Sequence, residues 1–331
     1  MVIADAPARA IVFFGDGLME FVSPSHSHLH ALAASGACGF LALRNLPSYM
    51  DNMSRSIFEM QQLLDVHDFG KAGIIETSSK NNVTTTALTP PSIAERFMGM
   101  KAAIITNSEP IANLGENLGF MLNNSKVGLH FSEPHVSNSV PQLASSAQVA
   151  SELLELLGLG SQPLKESNNC ELVLVHVTAG SGTDDAVARS CIDWIDSIVG
   201  EVKNLMQPGT KADDHLYLTL VFSYGVKAAS DVSLNNLELH RQQVFDSLQT
   251  NLRVHCPQQS YKMKDGKLVI DVRDHHPMLV VHQMNGVTRR DHVSSLDFDD
   301  FLKNGCNLSI LADRFLHELA FKLWKAPKYG A

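Results

Sequence analysis

The chain has no apolar run that approaches the roughly 20 residues a bilayer-spanning helix needs, so no membrane span is expected. It has no basic block and no alternation of basic with aromatic residues. Nucleic acid is therefore not an expected partner, and the formal net charge of −9 agrees. Met1 to Ala10 lack a basic segment leading into a long apolar core, so no secretory leader is expected. Cysteine is sparse: Cys38, Cys170, Cys191, Cys256 and Cys306 are scattered, and no Cys-x-x-Cys occurs. An odd, dispersed set reads as reduced, buried thiols in a cytoplasmic or nuclear protein. There is no Walker lysine, no complete Gly-x-Gly-x-x-Gly and no Gly-x-Ser-x-Gly elbow. Nucleotide-cradling loops and an α/β-hydrolase nucleophile thus find no support.

What is present is a set of short, continuously apolar runs alternating with segments of helical spacing. The first run, Ala10-Ile11-Val12-Phe13-Phe14, ends in Gly15-Asp16-Gly17. Further buried strands are expected at 38–43, 101–106, 171–177, 216–222, 268–272 and 278–281. Helices are expected at 29–35, 53–64, 109–118, 149–157, 184–206, 232–252 and 308–324. Ser92, with Glu95 three residues on, reads as a capping box that opens a helix over 92–98. Strands that alternate with helices in this way specify an α/β fold: a mostly parallel sheet with helices on both faces. The 331 residues suffice for one large domain of this class.

At the carboxyl end of a parallel strand, where such sheets bind ligands, Asp16 reads either as a metal ligand or as a turn residue. His26, His28 and His30 form an H-x-H-x-H run, open to a metal or to a solvated loop. Asp213-Asp214-His215 reads as a charged turn or a ligand cluster. Gly180-Ser181-Gly182-Thr183 before a helix has the look of an anion-cradling loop, but Asp184 and Asp185 already complement that helix start. The terminal helix, with Phe315, Leu319, Phe321 and Trp324, serves either the core or an interface.

Several segments, in order, resemble the alkaline-phosphatase superfamily and within it the cofactor-independent phosphoglycerate mutases of archaeal type. Phe13-Phe14-Gly15-Asp16-Gly17 is similar to the opening strand and its first metal aspartate. His28 to Leu41 is similar to the helix, turn and strand that follow. Gly99-Met100-Lys101-Ala102-Ala103-Ile104-Ile105, with Leu114-Gly115 and Leu118-Gly119-Phe120, is similar to the strand and helix after the inserted domain. Val173 to Val177 with Asp193-Trp194-Ile195-Asp196, and Gly286 to Asp291, extend the likeness over most of the chain.

The resemblance implies two divalent metals (manganese, zinc or magnesium) and a serine or threonine nucleophile. Asp16 matches the first ligand. Ser48 is the candidate nucleophile, without the glycine and flanking pattern of the family. His275 or His276, before Pro277, matches the last metal histidine. No histidine follows strand 171–177 at the family's spacing, and Ser223-Tyr224-Gly225 stands where an Asp-His pair belongs. About 55 residues separate Leu43 from Gly99, too few for the substrate domain of the family. Residues 1–331 therefore read as one alkaline-phosphatase-like α/β domain in which 65–98 is the remnant of the insertion, its substrate domain reduced or absent.

The expectation is a non-catalytic, phosphoglycerate-mutase-like protein acting as a binding or scaffold subunit, with a protein partner and no cofactor. The alternative is a metal-dependent phosphohydrolase or phosphomutase with a site rebuilt from Asp16, Ser48, His275 or His276 and Asp184 or Asp185.

Overall fold

The computed structural model describes residues 8–45, 51–69, 90–122, 145–160, 169–180, 185–225, 261–264, 266–273, 275–286, 288–304 and 309–328. Its centre is the run that opens the sequence, β1 (Arg9–Asp16), which lies buried along almost its whole length. On its two sides it pairs in parallel with β5 (Leu172–Thr178) and β6 (Leu216–Phe222). Beyond β5 come β3 (Ala102–Thr106) and the two-residue β4 (Met121–Leu122). Beyond β6 come β9 (Met278–Gln283), β2 (Ala37–Ala42) and β10 (Ser309–Leu311), giving the order β10-β2-β9-β6-β1-β5-β3-β4. Only β9 runs antiparallel in this sheet, against both neighbours. A small hairpin, β7 (Met263–Lys264) with β8 (Lys267–Leu268), stands apart.

Side chains alternate across the sheet, so β1 divides the core in two. Ile11 and Phe13 face one cluster, built with α1 (Ser27–Ser35), α5 (Ser146–Leu156) and the long α6 (Asp185–Leu205) through Leu29, Leu153, Ile192 and Ile195. Val12 and Phe14 face the other, built with α2 (Asn52–Leu63), α3 (Ile93–Arg96), α4 (Glu109–Asn117) and the terminal α9 (Phe315–Lys322) through Met60, Ile93, Ile111 and Leu319. Helices thus cover both faces of a mostly parallel sheet. The capping box holds: Ser92 accepts from the Glu95 amide while the Glu95 carboxylate receives the Ser92 amide.

Four elements differ from the sequence pattern. Of the 268–272 run only Leu268 is strand, as the second residue of β8. Ile270 there is 88 % exposed, and Val272 makes a lone bridge to Arg44. The terminal helix begins at Phe315, because Ser309–Leu311 pair with β2 and a 3-10 turn follows. Asp213-Asp214-His215 lie in the short helix α7 (Lys211–His215), capped by Thr210, and Phe298–Asn304 form a further helix, α8. The helix expected at 232–252 lies outside the described residues.

Candidate functional site

Four neighbouring parallel strands deliver polar side chains to the same face at their carboxyl ends. Thr106 on β3 is register-paired with His176 on β5, and His176 with Phe14 of β1, two residues before Asp16. Ser223 follows β6, its amide bonded to the Gly15 carbonyl at 3.1 Å. The β1 and β6 exits are joined again by a bond from the Gly17 amide to the Ser223 hydroxyl at 3.0 Å. Gly17 has φ +72°, and the Arg55 guanidinium lies within 3.2 Å of where a side chain would begin, so glycine is required there.

The face on which Asp16 lies is covered by α2, and α2 supplies a cation. Arg55 Nη2 lies 2.9 Å from Asp16 Oδ1, and its Nη1 lies 2.6 Å from Glu59 Oε2. Ser56 donates to Asp16 Oδ2, and the Ser223 hydroxyl donates to Oδ1 at 3.2 Å. His176 Nε2 stands 3.4 Å from Oδ2, and its Nδ1 is 2.7 Å from Thr106 Oγ1. One assignment satisfies this chain. The Ser108 amide donates to Thr106 Oγ1, the Thr106 hydroxyl donates to Nδ1, and the Nε2 proton faces Asp16. Glu59 also receives Arg273 Nη2 at 3.3 Å, and that same nitrogen donates to the His276 carbonyl at 2.9 Å.

The side chains of Asp16 and Glu59 have no exposure, and those of Arg55 and Arg273 have 5 % and 9 %. Two carboxylates and two guanidinium groups balance one another. Burial alone would raise the Asp16 pKa, but the Arg55 charge, with His176 and Ser56, holds it well below the usual carboxylate range. For Glu59, burial prevails over Arg55 and Arg273 and pushes the pKa up. Arg55 is held the more firmly charged, because Asp16 and Glu59 together outweigh its burial.

The metals implied by the resemblance do not fit these side chains. A metal bonds a carboxylate oxygen at about 2.0–2.6 Å. Oδ1 already faces a fixed positive charge at 2.9 Å, and Oδ2 holds Ser56 and His176. A dication at Asp16 would stand beside Arg55, in a buried space where like charges repel strongly.

The other residues read from the sequence are dispersed. His276 reaches this centre through its carbonyl. Its ring lies against Tyr224 at 5.2 Å and against His275 at 5.3 Å. Ser48 and Asp184 lie outside the described residues, as do Ser181, Gly182 and Thr183. His26 and His30 are structural: His26 accepts from the Ser23 amide and pairs with Asp193, while His30 joins the Ser23 carbonyl to the Leu296 amide. The sequence reading missed Arg55, Ser56, Glu59, His176 and Arg273. The available signal lay on α2, where Ser56 and Glu59 stand one turn before Met60 and Leu63 on the stripe that faces the core.

A second polar knot lies on the α9 side. Asp65, His67 and Asp313 bring potential metal-ligating atoms within 4.8 Å of one another. Lys264 already bridges the two aspartates, at 2.7 Å to Asp65 and 3.2 Å to Asp313. Arg44 adds a bond to Asp313 at 2.7 Å, and His317 one to Asp65 at 3.0 Å. The knot is an ion-pair network with its cations in place.

Between α9 and the sheet, a cavity of about 320 Å³ is floored by Leu41, Tyr217, Val280 and His282. The His282 ring stacks on Phe315, its Nδ1 lies 3.1 Å from Thr219 Oγ1, and burial with the nearby Lys322 charge pushes its pKa down to about 4. The unfolded chain therefore takes a proton here near pH 6.5, before the folded one does. Stability is expected to fall as pH drops from 6.5 towards 4, by up to about 1.4 kcal/mol per pH unit from this group. Urea midpoints across that window for the wild type and His282→Gln test this. The variant's curve should be flatter, and parallel curves would refute it.

Among the described residues no helix is long and apolar enough to cross a membrane. No protein-family model matches the sequence, and neither does any curated protein. Solved structures do. The PH0037 protein from Pyrococcus horikoshii aligns over 98 % of this chain and 99 % of its own, with TM-score 0.50 and 14 % identity. Cofactor-independent phosphoglycerate mutase from Thermoplasma acidophilum aligns over 93 % of this chain and 98 % of its own, with TM-score 0.42 and 11 % identity. A protein in the alkaline phosphatase superfamily from Vibrio parahaemolyticus aligns over 86 % of this chain and 61 % of its own, with TM-score 0.40 and 10 % identity. The likeness to PH0037 is one of fold: this chain has an α/β fold, a mostly parallel eight-stranded sheet with helices on both faces.

Proposed function

We propose that this chain is a non-catalytic, phosphoglycerate-mutase-like protein that works as a binding or scaffold subunit. The observation that carries the proposal is the Arg55–Asp16 ion pair. The carboxylate best placed to take a metal is buried, and its counter-charge belongs to the protein itself. A metal-activated nucleophile needs a divalent ion on that carboxylate, and Arg55 stands in its way. On this reading the chain needs no cofactor. Residues 1–331 are one domain, with 65–98 left over from an insertion that once enclosed a substrate. Its compartment is the cytoplasm or nucleus, in keeping with the buried thiols of Cys38, Cys170 and Cys191, whose pKa values burial pushes up to about 12, 11 and 11.

The test is metal content and turnover of the purified wild type. With Mn²⁺, Zn²⁺ or Mg²⁺ supplied, p-nitrophenyl phosphate hydrolysis is expected to stay at the level of the blank. Stoichiometric metal, with turnover that disappears in Asp16→Ala, would establish the metal-dependent phosphohydrolase instead. Purification of the native protein under mild conditions, followed by identification of what accompanies it, tests the binding role. A chain that is always recovered alone opposes it.

A further inference from the structure

We infer that Arg55 is a resident cation required by two buried carboxylates, and that its removal turns this centre into a divalent-metal site. The inference rests on the non-catalytic reading and explains how the centre is held. Without Arg55, Asp16 and Glu59 face the same buried space, and among the described residues Arg273 is the remaining guanidinium bonded there. Around that space stand both oxygens of Asp16, a Glu59 oxygen and the hydroxyls of Ser56 and Ser223. An oxygen-rich set with two negative charges is what a hard dication takes. The volume released by a guanidinium and its stem leaves room for an ion and its waters. Burial makes the vacancy costly to leave unfilled, since two carboxylates would share the one counter-charge of Arg273, which bonds Glu59.

Arg55 is itself held for this purpose. It lies on α2, whose first turn is fixed by Asp51 accepting from the Ser54 amide at 2.8 Å. Its two terminal nitrogens divide between Asp16 on β1 and Glu59 one helical turn on. The side chain thus ties the helix to the sheet and balances the charge of both acids.

The experiment compares the wild type with Arg55→Ala, a substitution that suits a helix interior, using Mn²⁺ as the probe. The wild type should retain no Mn²⁺ after gel filtration and melt at the same temperature in EDTA and in MnCl₂. Arg55→Ala should bind one Mn²⁺ per chain. Its melting temperature should rise by roughly 4 °C at a hundredfold excess over the dissociation constant. Adding Asp16→Asn should abolish that gain. An Arg55→Ala protein that binds no Mn²⁺ overturns the inference, as does one whose Mn²⁺ binding survives Asp16→Asn.

If Arg55→Ala folds in neither condition, the isosteric pair Arg55→Met and Asp16→Asn/Arg55→Met decides. The double variant should be more stable than the single one by at least about tenfold in the unfolding constant, because removing both charges leaves less unpaired than removing one. A double variant no more stable than the single one overturns the inference. Turnover by the wild type would sink the non-catalytic reading while leaving a Mn²⁺ gain in Arg55→Ala intact. A metal-blind Arg55→Ala would sink this inference alone.

Discussion

Asp16→Ala is expected to destabilise the protein by roughly 3–5 kcal/mol, the cost of breaking a buried ion pair by removing one partner. The loss is large because Asp16 is the shared acceptor of Arg55, Ser56, Ser223 and His176, all of them buried. Alanine leaves those donors facing a void that water reaches poorly. Asp16→Asn should lose less, since an amide oxygen keeps part of the hydrogen bonding while the charge goes. The direction separates two kinds of site. A carboxylate kept for chemistry sits in a strained or electrostatically unfavourable place, and its removal tends to cost little stability or to add some. A carboxylate kept for structure costs a great deal. Urea midpoints of the wild type and both variants measure this, and a loss below about 1 kcal/mol in Asp16→Ala would argue for a functional acid.

The same centre has a signed pH dependence. The folded-state pKa of Asp16 is depressed, so its contribution is fully present above its unfolded value, near pH 4, and is lost as the solution grows more acid. That of Glu59 is raised, so its contribution is present below its unfolded value and is lost as pH rises through its folded one. The two acids pull in opposite directions, with the Arg55 guanidinium bonded to both. Asp16→Ala should therefore lose less stability than the wild type on acidification.

The sheet was legible because its signal is local. Continuous apolar runs such as Ile11–Phe14 and Leu172–Val175 must be buried on both faces, and a parallel sheet under two layers of helix does that. The resemblance at Gly15-Asp16-Gly17 pointed to the strand end where Arg55, Ser56 and Ser223 meet Asp16. What the sequence did not disclose was the partner of Asp16. Arg55 and Glu59 are four residues apart on a helix, a spacing that usually marks an exposed ion pair. Only the packing of α2 against the strand ends makes it buried, and that contact joins positions some 40 residues apart. His176 sat in plain view as the polar residue of an apolar strand, yet its partners Thr106 and Asp16 come from two other strands. Register across a sheet follows from pairing, which one sequence does not state. The short β10 failed for a related reason: three residues pair only because β2 offers an edge.

Asp313→Ala should cost roughly 3 kcal/mol, at the lower end for a broken buried pair, and should loosen the segment 261–273 before the rest of the molecule. Asp313 receives Arg44 and Lys264 and is itself buried. Arg44 keeps a second partner, Asp271 at 2.7 Å, but Asp271 is about half exposed and screened by solvent, so it compensates in part only. The segment is tied to the residues that follow β2 by two further bonds, from the Asn45 amide to the Asp271 carbonyl at 2.6 Å and from the Arg273 amide to the Leu43 carbonyl at 2.9 Å. Hydrogen exchange at Asn45 and Arg273 is therefore expected to quicken in Asp313→Ala under conditions where amides of β1 and β5 stay protected. The consequence reaches the Asp16 centre, because Arg273, at the end of this segment, holds Glu59. Replacing both partners, as Arg44→Met/Asp313→Leu, should recover stability relative to Asp313→Ala, since a packed apolar pair leaves no buried charge alone. Uniform exchange across the molecule, or a double variant weaker than Asp313→Ala, would show that this knot does not anchor the segment.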